Sequence, residues 1–544
     1  MNAQNAGKPA LQSKRGYVAL FVIVPVILFT TGVRIRLLEV PLERDEGEYA
    51  YAGQLMLEGV PPYGSVYNMK LPGVYAAYAL ILRAFGQTHK GIHLGLIFIN
   101  AATAVLVFLL ARRLFGSFVG TCAGATFCLL SLNPWVGGIE ANAEHFVILP
   151  AIGGILLLLR SQERGRWWIL ACAASLLGIC FLMKQHGAAF VIFGGLYLLG
   201  CEFYRRPRDW KISTARIGVY LACAAIPFAV TCIILWWAGV FEKFWFWTFG
   251  YAREYVARQP ISMGFRILSA AIPPIIGPSI LLWLTAGVGL GALILREKDA
   301  HRRLFVEGFL LFSLLSVCPG FYFRQHYFLL LLPAAAVLAG IGAKGVLEHF
   351  ERKLSSAGAR GLFAIFVLAA TLEPAYKQQN FLFVLSPSRA AREVYGSNPF
   401  PETYEIGKFI KANSAEGDRI AVIGSEPQIY FYANRRSATG YIYTYPLMKN
   451  NEFALRMQQE MISEIESVNP EYLVFVRSET SWLPKKSSNK LIFEWFEQYK
   501  QRHYQPVGLV DVVSPEETIY RWGKECEEYK CRSETRLGVF RRKS

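Results

Sequence analysis

Charge is scarce in this chain. Asp, Glu, Lys and Arg make up 18% of its 544 residues, against 53% hydrophobic. That balance excludes a soluble fold of this length, and the mean hydropathy of +0.30 agrees. Cysteine outside apolar stretches is nearly absent as well. Eight of the ten cysteines lie in apolar segments, where they act as small hydrophobes, and no Cys/His spacing resembles a zinc site. IGSEPQ (423–428) follows a strand-like run but without a GxGxxG pattern, which leaves little support for a nucleotide site there. No internal repeat of the kind found in many secondary transporters is present.

What the chain has instead is a series of apolar runs of about 20 residues, the length that spans a bilayer. This is the pattern of a polytopic α-helical membrane protein. A net charge of +17 would mark a nucleic-acid binder in a soluble protein. Here Lys and Arg come in short clusters between the runs, so they read as orientation signals and no nucleic-acid partner is expected. The first run, GYVALFVIVPVILFTTGV (16–33), follows Lys14 and Arg15 and precedes RIRLLEV without a small-x-small cleavage site. It reads as an uncleaved anchor behind a cytoplasmic tail, residues 1–15. Further spans are expected at 92–111, 117–136, 145–159, 167–183, 187–203, 217–240, 272–295, 304–318, 327–346 and 361–376, about eleven in all. The run LPGVYAAYALILRAFG (71–86) is short and carries Arg83, so it is expected to lie at the outer interface. Arg and Lys then cluster in every short loop assigned inside. RDEGEY, MKLPG, IEANAEH, MKQHG, GYAREY and FRQHYF all fall outside. Counting 71–86 as a crossing would invert every later loop.

The expected division is a tail (1–15), a membrane domain (16–376) and a polar segment (377–544) that ends outside the cell's inner (plasma) membrane. In that segment YEIGKFIKAN and FALRMQQEMISEIESV have helical spacing, whereas RIAVIG, YLVFV and VGLVDVV are short β-rich runs. A small C-terminal extracytoplasmic α/β domain is expected, serving as a scaffold or an acceptor dock. Cys526 and Cys531, in CEEYKC, would then sit in polar sequence in an oxidising compartment, so a structural disulfide is expected between them.

Collected on the outer side are Asp45, Glu46, Lys70, Glu140, Glu144, His145, Lys184, Gln185, Arg253, Arg324 and His326. The acids come mainly from the first two outer loops and the bases from the later ones. A carboxylate can take a proton from an acceptor hydroxyl, and cations can hold the phosphate of a lipid-linked leaving group. Each residue also has a plainer reading. Asp45 and Glu46 suit the N-terminal end of an interfacial helix, where the macrodipole favours acids; Glu48 reads as that helix's solvated face. Lys70 and Lys184 suit interface anchors. Glu140 and Glu144, one helical turn apart, suit helix caps as well as an acid pair or a metal site. Arg253, beside Tyr251, suits an interfacial aromatic belt. Arg324 and His326 alternate with Phe323, Gln325 and Tyr327 at the mouth of a span, where charge needs a partner.

RDEGEYAYAGQLMLEGVPPYGSVYNMKLPGVYAAYALILRAFG (44–86) resembles the first outer loop of the C-type (GT-C) glycosyltransferases. Within that class it is most similar to bacterial relatives of the protein O-mannosyltransferases and of the lipid A aminoarabinose transferase. ANAEHFVILP, LMKQHGAAF and PGFYFRQHYFLLLLPA resemble later segments of the same group, so the resemblance covers roughly residues 16–376. Lys70 is followed by Leu71 before Pro72, a departure from the group's lysine-proline pair. The resemblance implies a mannosyltransferase-like membrane enzyme. Such an enzyme takes a hexose or pentose from a polyprenyl phosphate at the outer face and passes it to a hydroxyl of a glycan, lipid or protein. It implies Asp45 as general base with Glu46 in reserve. Lys70, Arg324 and His326, with Lys184 and Arg253, are assigned to the donor phosphate; Glu144, His145 and Tyr327 are assigned to the sugar or the acceptor. Direct displacement would invert the anomeric configuration. This scheme requires no metal and assigns no metal ligand, although the acid pair with Glu144 leaves a divalent cation open. The other class that fits the spans is a transporter or flippase of a lipid-linked sugar. Charges at span ends on one side, instead of at the midplane, favour the enzyme.

Overall fold

The computed structural model describes residues 9–207, 209–256 and 260–543. Residues 1–8 of the expected tail lie outside these, and the rest of that tail already belongs to the helix Pro9–Arg36. The chain forms two compact units: residues 1–37, 93–233 and 253–384 in one, and residues 38–92, 234–252 and 385–544 in the other.

The first unit is a helical bundle, and every expected span falls on a helix. Seven helices among the described residues are long and apolar enough to cross a membrane: His89–Phe115, Ala143–Arg164, Gln185–Tyr204, Trp210–Trp237, Ile261–Arg296, Gln325–Lys353 and Ser356–Lys377. Pro9–Arg36, Ser117–Leu130, Trp167–Met183 and Ala300–Val317 carry the remaining expected spans. Ile261–Arg296 is broken at Gly277–Ser279, just after Pro273 and Pro274 withdraw two backbone donors. Trp210–Trp237 and Ser356–Lys377 leave most of their apolar side chains uncovered, as helices facing lipid do. Charge inside this apolar set is paired. Arg216 Nε lies 2.6 Å from Glu202 Oε1, and both side chains are buried.

The second unit joins the stretch after the first helix to the C-terminal segment. Its strands are β1 (Arg419–Ile423), β2 (Arg436–Ser437), β3 (Tyr472–Arg477), β4 (Tyr504–Val512), β5 (Thr518–Trp522) and β6 (Arg536–Arg542). They form one mixed sheet in the order β2-β1-β3-β6-β4-β5. β1 runs parallel to β2 and β3, and the other pairs are antiparallel. RIAVI and YLVFV are nearly unbroken apolar runs because parallel strands are covered on both faces. The helices Phe400–Ala412 and Phe453–Val468 fall where the spacing predicts them. The expected disulfide is absent: Cys526 and Cys531 are both free thiols. Cys526 is buried on the short helix Glu525–Glu528, which packs on β4 and β5. Its local sequence is polar, and the apolar contact exists only once the sheet has formed.

Two further helices of this unit come from the stretch after the first helix. Pro72 opens Pro72–Phe85 at a position that needs no backbone donor, and the helix stops at Gly86 with φ +91°. At 14 residues it is about 21 Å long, short of the roughly 30 Å of a bilayer core. Arg44–Leu57 is almost wholly buried, wedged between Pro72–Phe85 on one side and Gln428–Ala433 on another. Two glycines allow the wedge. A Cβ at Gly53 would sit 2.9 Å from Ala79 N, and one at Gly47 would sit 2.6 Å from Gln428 Cβ and 2.7 Å from its N. Gly47→Ala should therefore lower the unfolding temperature in detergent, because overpacking of about 1–3 kcal/mol exceeds the about 1 kcal/mol helix gain. Gly218→Ala, with nothing within 4 Å in the helix Trp210–Trp237, should leave it unchanged or raise it. Equal shifts in the two variants, read by intrinsic fluorescence on heating, would refute the wedge.

Candidate active site

The acid-rich turn is organised by a reciprocal cap. Glu43 precedes the helix Arg44–Leu57, and its carboxylate accepts from the backbone N of Asp45 and of Glu46, both at 2.9 Å. Glu46 answers by accepting from Glu43 N at 3.2 Å, which completes a capping box. The cap commits Glu46 to the helix start, where its side chain is fully buried. Glu48 is fully buried too, which corrects its reading as a solvated face. Its Oε2 accepts from Asn68 Nδ2 at 2.7 Å, and its Oε1 shares a hydrogen bond with Tyr75 Oη. Burial pushes the Glu48 carboxyl up to about 8; the Lys70 charge opposes that rise and the Asp45 charge adds to it. Glu48 thus stays protonated at neutral pH and puts no second negative charge beside Asp45. Of the three acids, Asp45 is the one left partly open, with 19% of its side chain exposed.

Lys70 meets Asp45 across the loop. Its Nζ lies 2.8 Å from Asp45 Oδ2 and 3.2 Å from Tyr49 Oη, and its carbonyl accepts from Tyr63 Oη at 2.6 Å. The other Asp45 oxygen, Oδ1, accepts from Tyr443 Oη at 2.7 Å. Arg44, the residue before Asp45, is held by Glu426 Oε1 at 2.7 Å and donates to Ser425 O. The structure therefore brings Asp45, Glu46 and Lys70 together. It adds Tyr49, Asn68, Tyr75, Glu426 and Tyr443, which the sequence reading missed. Tyr49 had a signal, since it stands four residues after Asp45 on one helix. Tyr443 had none.

The other predicted residues lie in the helical unit. Glu144, in the first turn of Ala143–Arg164, pairs with Lys184 at 2.5 Å, and their side chains are 0% and 7% exposed. His326 Nε2 stands 3.9 Å from the same Glu144 oxygen. The Lys184 ammonium lies over the Tyr327 ring at 4.5 Å, and His186 meets that ring edge-on at 4.4 Å. His145 is buried with Nε2 3.2 Å from Gly137 O. Glu140 precedes the helix instead of sharing its face with Glu144, because the helix starts at Ala143. Gln185 opens a single 3₁₀ turn, Gln185–Gly187. Arg324 and Arg253 are exposed. Arg324 follows Phe321 and Phe323, whose φ of 52° and 41° place two bulky residues in the left-handed region. Among the described residues no three His, Cys, Asp or Glu side chains are grouped to hold a metal ion. The two oxygens of Asp45 meet Lys70 Nζ and Tyr443 Oη.

Residues 70–237 match the family model for dolichyl-phosphate-mannose-protein mannosyltransferase. No curated protein sequence matches the chain. Among solved structures, the apo oligosaccharyltransferase of Archaeoglobus fulgidus is similar at a TM-score of 0.56 and 12% identity, over 93% of this chain and 75% of that one. AglB from Archaeoglobus fulgidus, solved with an inhibitory peptide and a dolichol-phosphate, gives 0.54 and 12%, over 95% and 75%. ArnT from Cupriavidus metallidurans, solved bound to undecaprenyl phosphate, gives 0.55 and 15%, over 86% and 94%. The Archaeoglobus fulgidus oligosaccharyltransferase has also been solved with Zn and sulfate. This chain is thus a multi-pass membrane protein with the fold of the C-type (GT-C) glycosyltransferases, and its residues 70–237 match their mannosyltransferase family.

Proposed function

We propose that this chain transfers a hexose or pentose from a polyprenyl-phosphate-linked donor to a hydroxyl of a glycan, lipid or protein. The reaction takes place at the extracytoplasmic face of the inner (plasma) membrane. The observation that carries the reading is the state of Asp45: a carboxylate held at a capped helix start, partly open, and ion-paired to Lys70. In the proposed step Asp45 takes the proton of the acceptor hydroxyl as its oxygen attacks the anomeric carbon. The bond from that carbon to the phosphate oxygen breaks, the phosphate leaves with the electron pair, and the configuration inverts. A donor phosphate competes with Asp45 for the Lys70 ammonium. Losing that cation makes Asp45 a stronger base, so donor binding would switch the base on. Glu46, committed to the cap, serves the helix start in this scheme instead of standing in as a base.

Arg324, Arg253 and His326, which the resemblance assigns to the donor phosphate, lie in the helical unit, and the step above does not draw on them. Glu144, His145, Lys184 and Tyr327 are buried, and they act as the support that holds His326. No step is routed through a metal ion.

Two measurements test this reading. Asp45→Asn should lower transfer by about 10²–10⁴-fold while leaving expression and unfolding temperature near wild type. Mass spectra of envelope glycans from cells with the wild-type chain, the variant or neither identify the transferred sugar, and a variant indistinguishable from wild type favours the transporter or flippase reading. For orientation, a cysteine at the exposed Thr88 should react with an impermeant thiol reagent in intact cells of a cysteine-depleted background, with any outer membrane permeabilised. One at the exposed Arg164 should react only after lysis. The reverse pattern would mean that 71–86 crosses the membrane.

A further inference from the structure

The C-terminal segment reaches the acid site at two points. Tyr443 Oη donates to Asp45 Oδ1 at 2.7 Å, and Glu426 takes the guanidinium of Arg44, one residue before Asp45, at 2.7 Å. Glu426 lies just past the C-terminal end of β1, between two parallel neighbours, which is where open α/β sheets take ligands. Here the place is filled by Arg44, which also donates to Ser425 O and to Asn398 Oδ1. The turn with Glu426 and the turn with Tyr443 are tied to each other. Thr444 N donates to Ser425 Oγ at 2.9 Å, and the two hydroxyls of Ser425 and Thr444 are 2.9 Å apart. Ser481 Oγ donates to Glu426 Oε2 at 2.6 Å and accepts from Ser425 N. Ser425, Glu426, Thr444 and Ser481 are all buried, and these hydrogen bonds couple the two turns.

We propose that Tyr443 is a positioning residue of the reaction centre: its hydroxyl fixes Asp45 through Oδ1 and keeps Oδ2 turned to Lys70. The C-terminal segment is then a working part of that centre and not a separate scaffold or acceptor dock. The proposal rests on the reading of Asp45 as the base. Burial, and after it the Asp45 charge, push the Tyr443 phenol above its ordinary range, so it remains a donor through the neutral range. The titratable groups around Asp45 are Glu43, Arg44, Glu46, the protonated Glu48 and Lys70, with Glu426 on Arg44. The phenols facing this cluster are Tyr49, Tyr63, Tyr75, Tyr78, Tyr432, Tyr443 and Tyr445. Among these groups, Tyr443 is a donor to Asp45 that can be removed without changing any charge.

The test needs no knowledge of the donor sugar. In purified full-length protein, infrared spectra are titrated with pH, and the carboxyl band missing from Asp45→Asn marks Asp45. A hydrogen bond donated to a carboxylate favours its ionised form, so Tyr443→Phe should raise the midpoint of that band by about one pH unit. Tyr441→Phe removes a hydroxyl of the same segment that donates to Glu460, and it should leave the midpoint in place. Transfer by Tyr443→Phe should fall about tenfold, with the acidic limb of the rate moved upward by the same interval and the donor KM unchanged. If Tyr443→Phe does not fold, 3-fluorotyrosine at 443 keeps ring and hydroxyl, strengthens the donor and must lower the midpoint. An unmoved midpoint, or an equal movement in Tyr441→Phe, overturns the positioning role. A moved midpoint with full transfer by Asp45→Asn overturns the base reading instead and leaves the contact standing.

Discussion

The capping box of Glu43 and Glu46 holds the Asp45 backbone still and yet leaves its carboxylate reachable. Two backbone donors at the helix start are satisfied by Glu43, one of them the N–H of Asp45 itself. Because Glu43 and Glu46 satisfy the helix start between them, the Asp45 side chain is not consumed by it. It projects from the first turn, where the helix dipole favours a negative charge. The glycines that let this helix sink between its neighbours, the tyrosines around it and the Lys70 loop all take their places from that anchored start.

Two lysine–carboxylate pairs among the candidate residues differ in what surrounds them. Glu144–Lys184 is sealed, with 0% and 7% of the side chains exposed. Breaking a sealed pair by removing one partner leaves a charge without solvent, a loss of typically about 3–5 kcal/mol. Such a pair stays made. Asp45–Lys70 is partly open, at 19% and 16%. Water reaches it, the energy of separating it is smaller, and an incoming anion can take the lysine. A lysine–carboxylate pair is therefore sealed in one unit and open to solvent in the other.

Three departures from the sequence reading share one cause. Glu48 reads as a solvated face, Cys526 as a thiol without a core, and the 377–544 segment as an appendage. In each case residues distant in sequence supply the missing contact. Asn68 and Tyr75 cover Glu48. The helix holding Cys526 packs on β4 and β5. The C-terminal segment shares a compact unit with residues 38–92 and 234–252. Local polarity reports what surrounds a residue along the chain, and burial depends on what arrives from elsewhere.

The sequence by itself determined much of this protein. Apolar runs of bilayer length place the helices, since a backbone in lipid has to satisfy its own hydrogen bonds. Short β-rich runs place β1, β3 and β4, and the acids of RDEGEY with the later lysine point to Asp45 and Lys70, which stand 25 residues apart. Only the tertiary structure decided which acid of that loop stays open. It also decided that Tyr443, 398 residues further on, would close on Asp45. The reason is geometric. Spans and strands follow from periodicity within a segment, whereas a hydrogen bond at 2.7 Å depends on how a sheet and a helix pack.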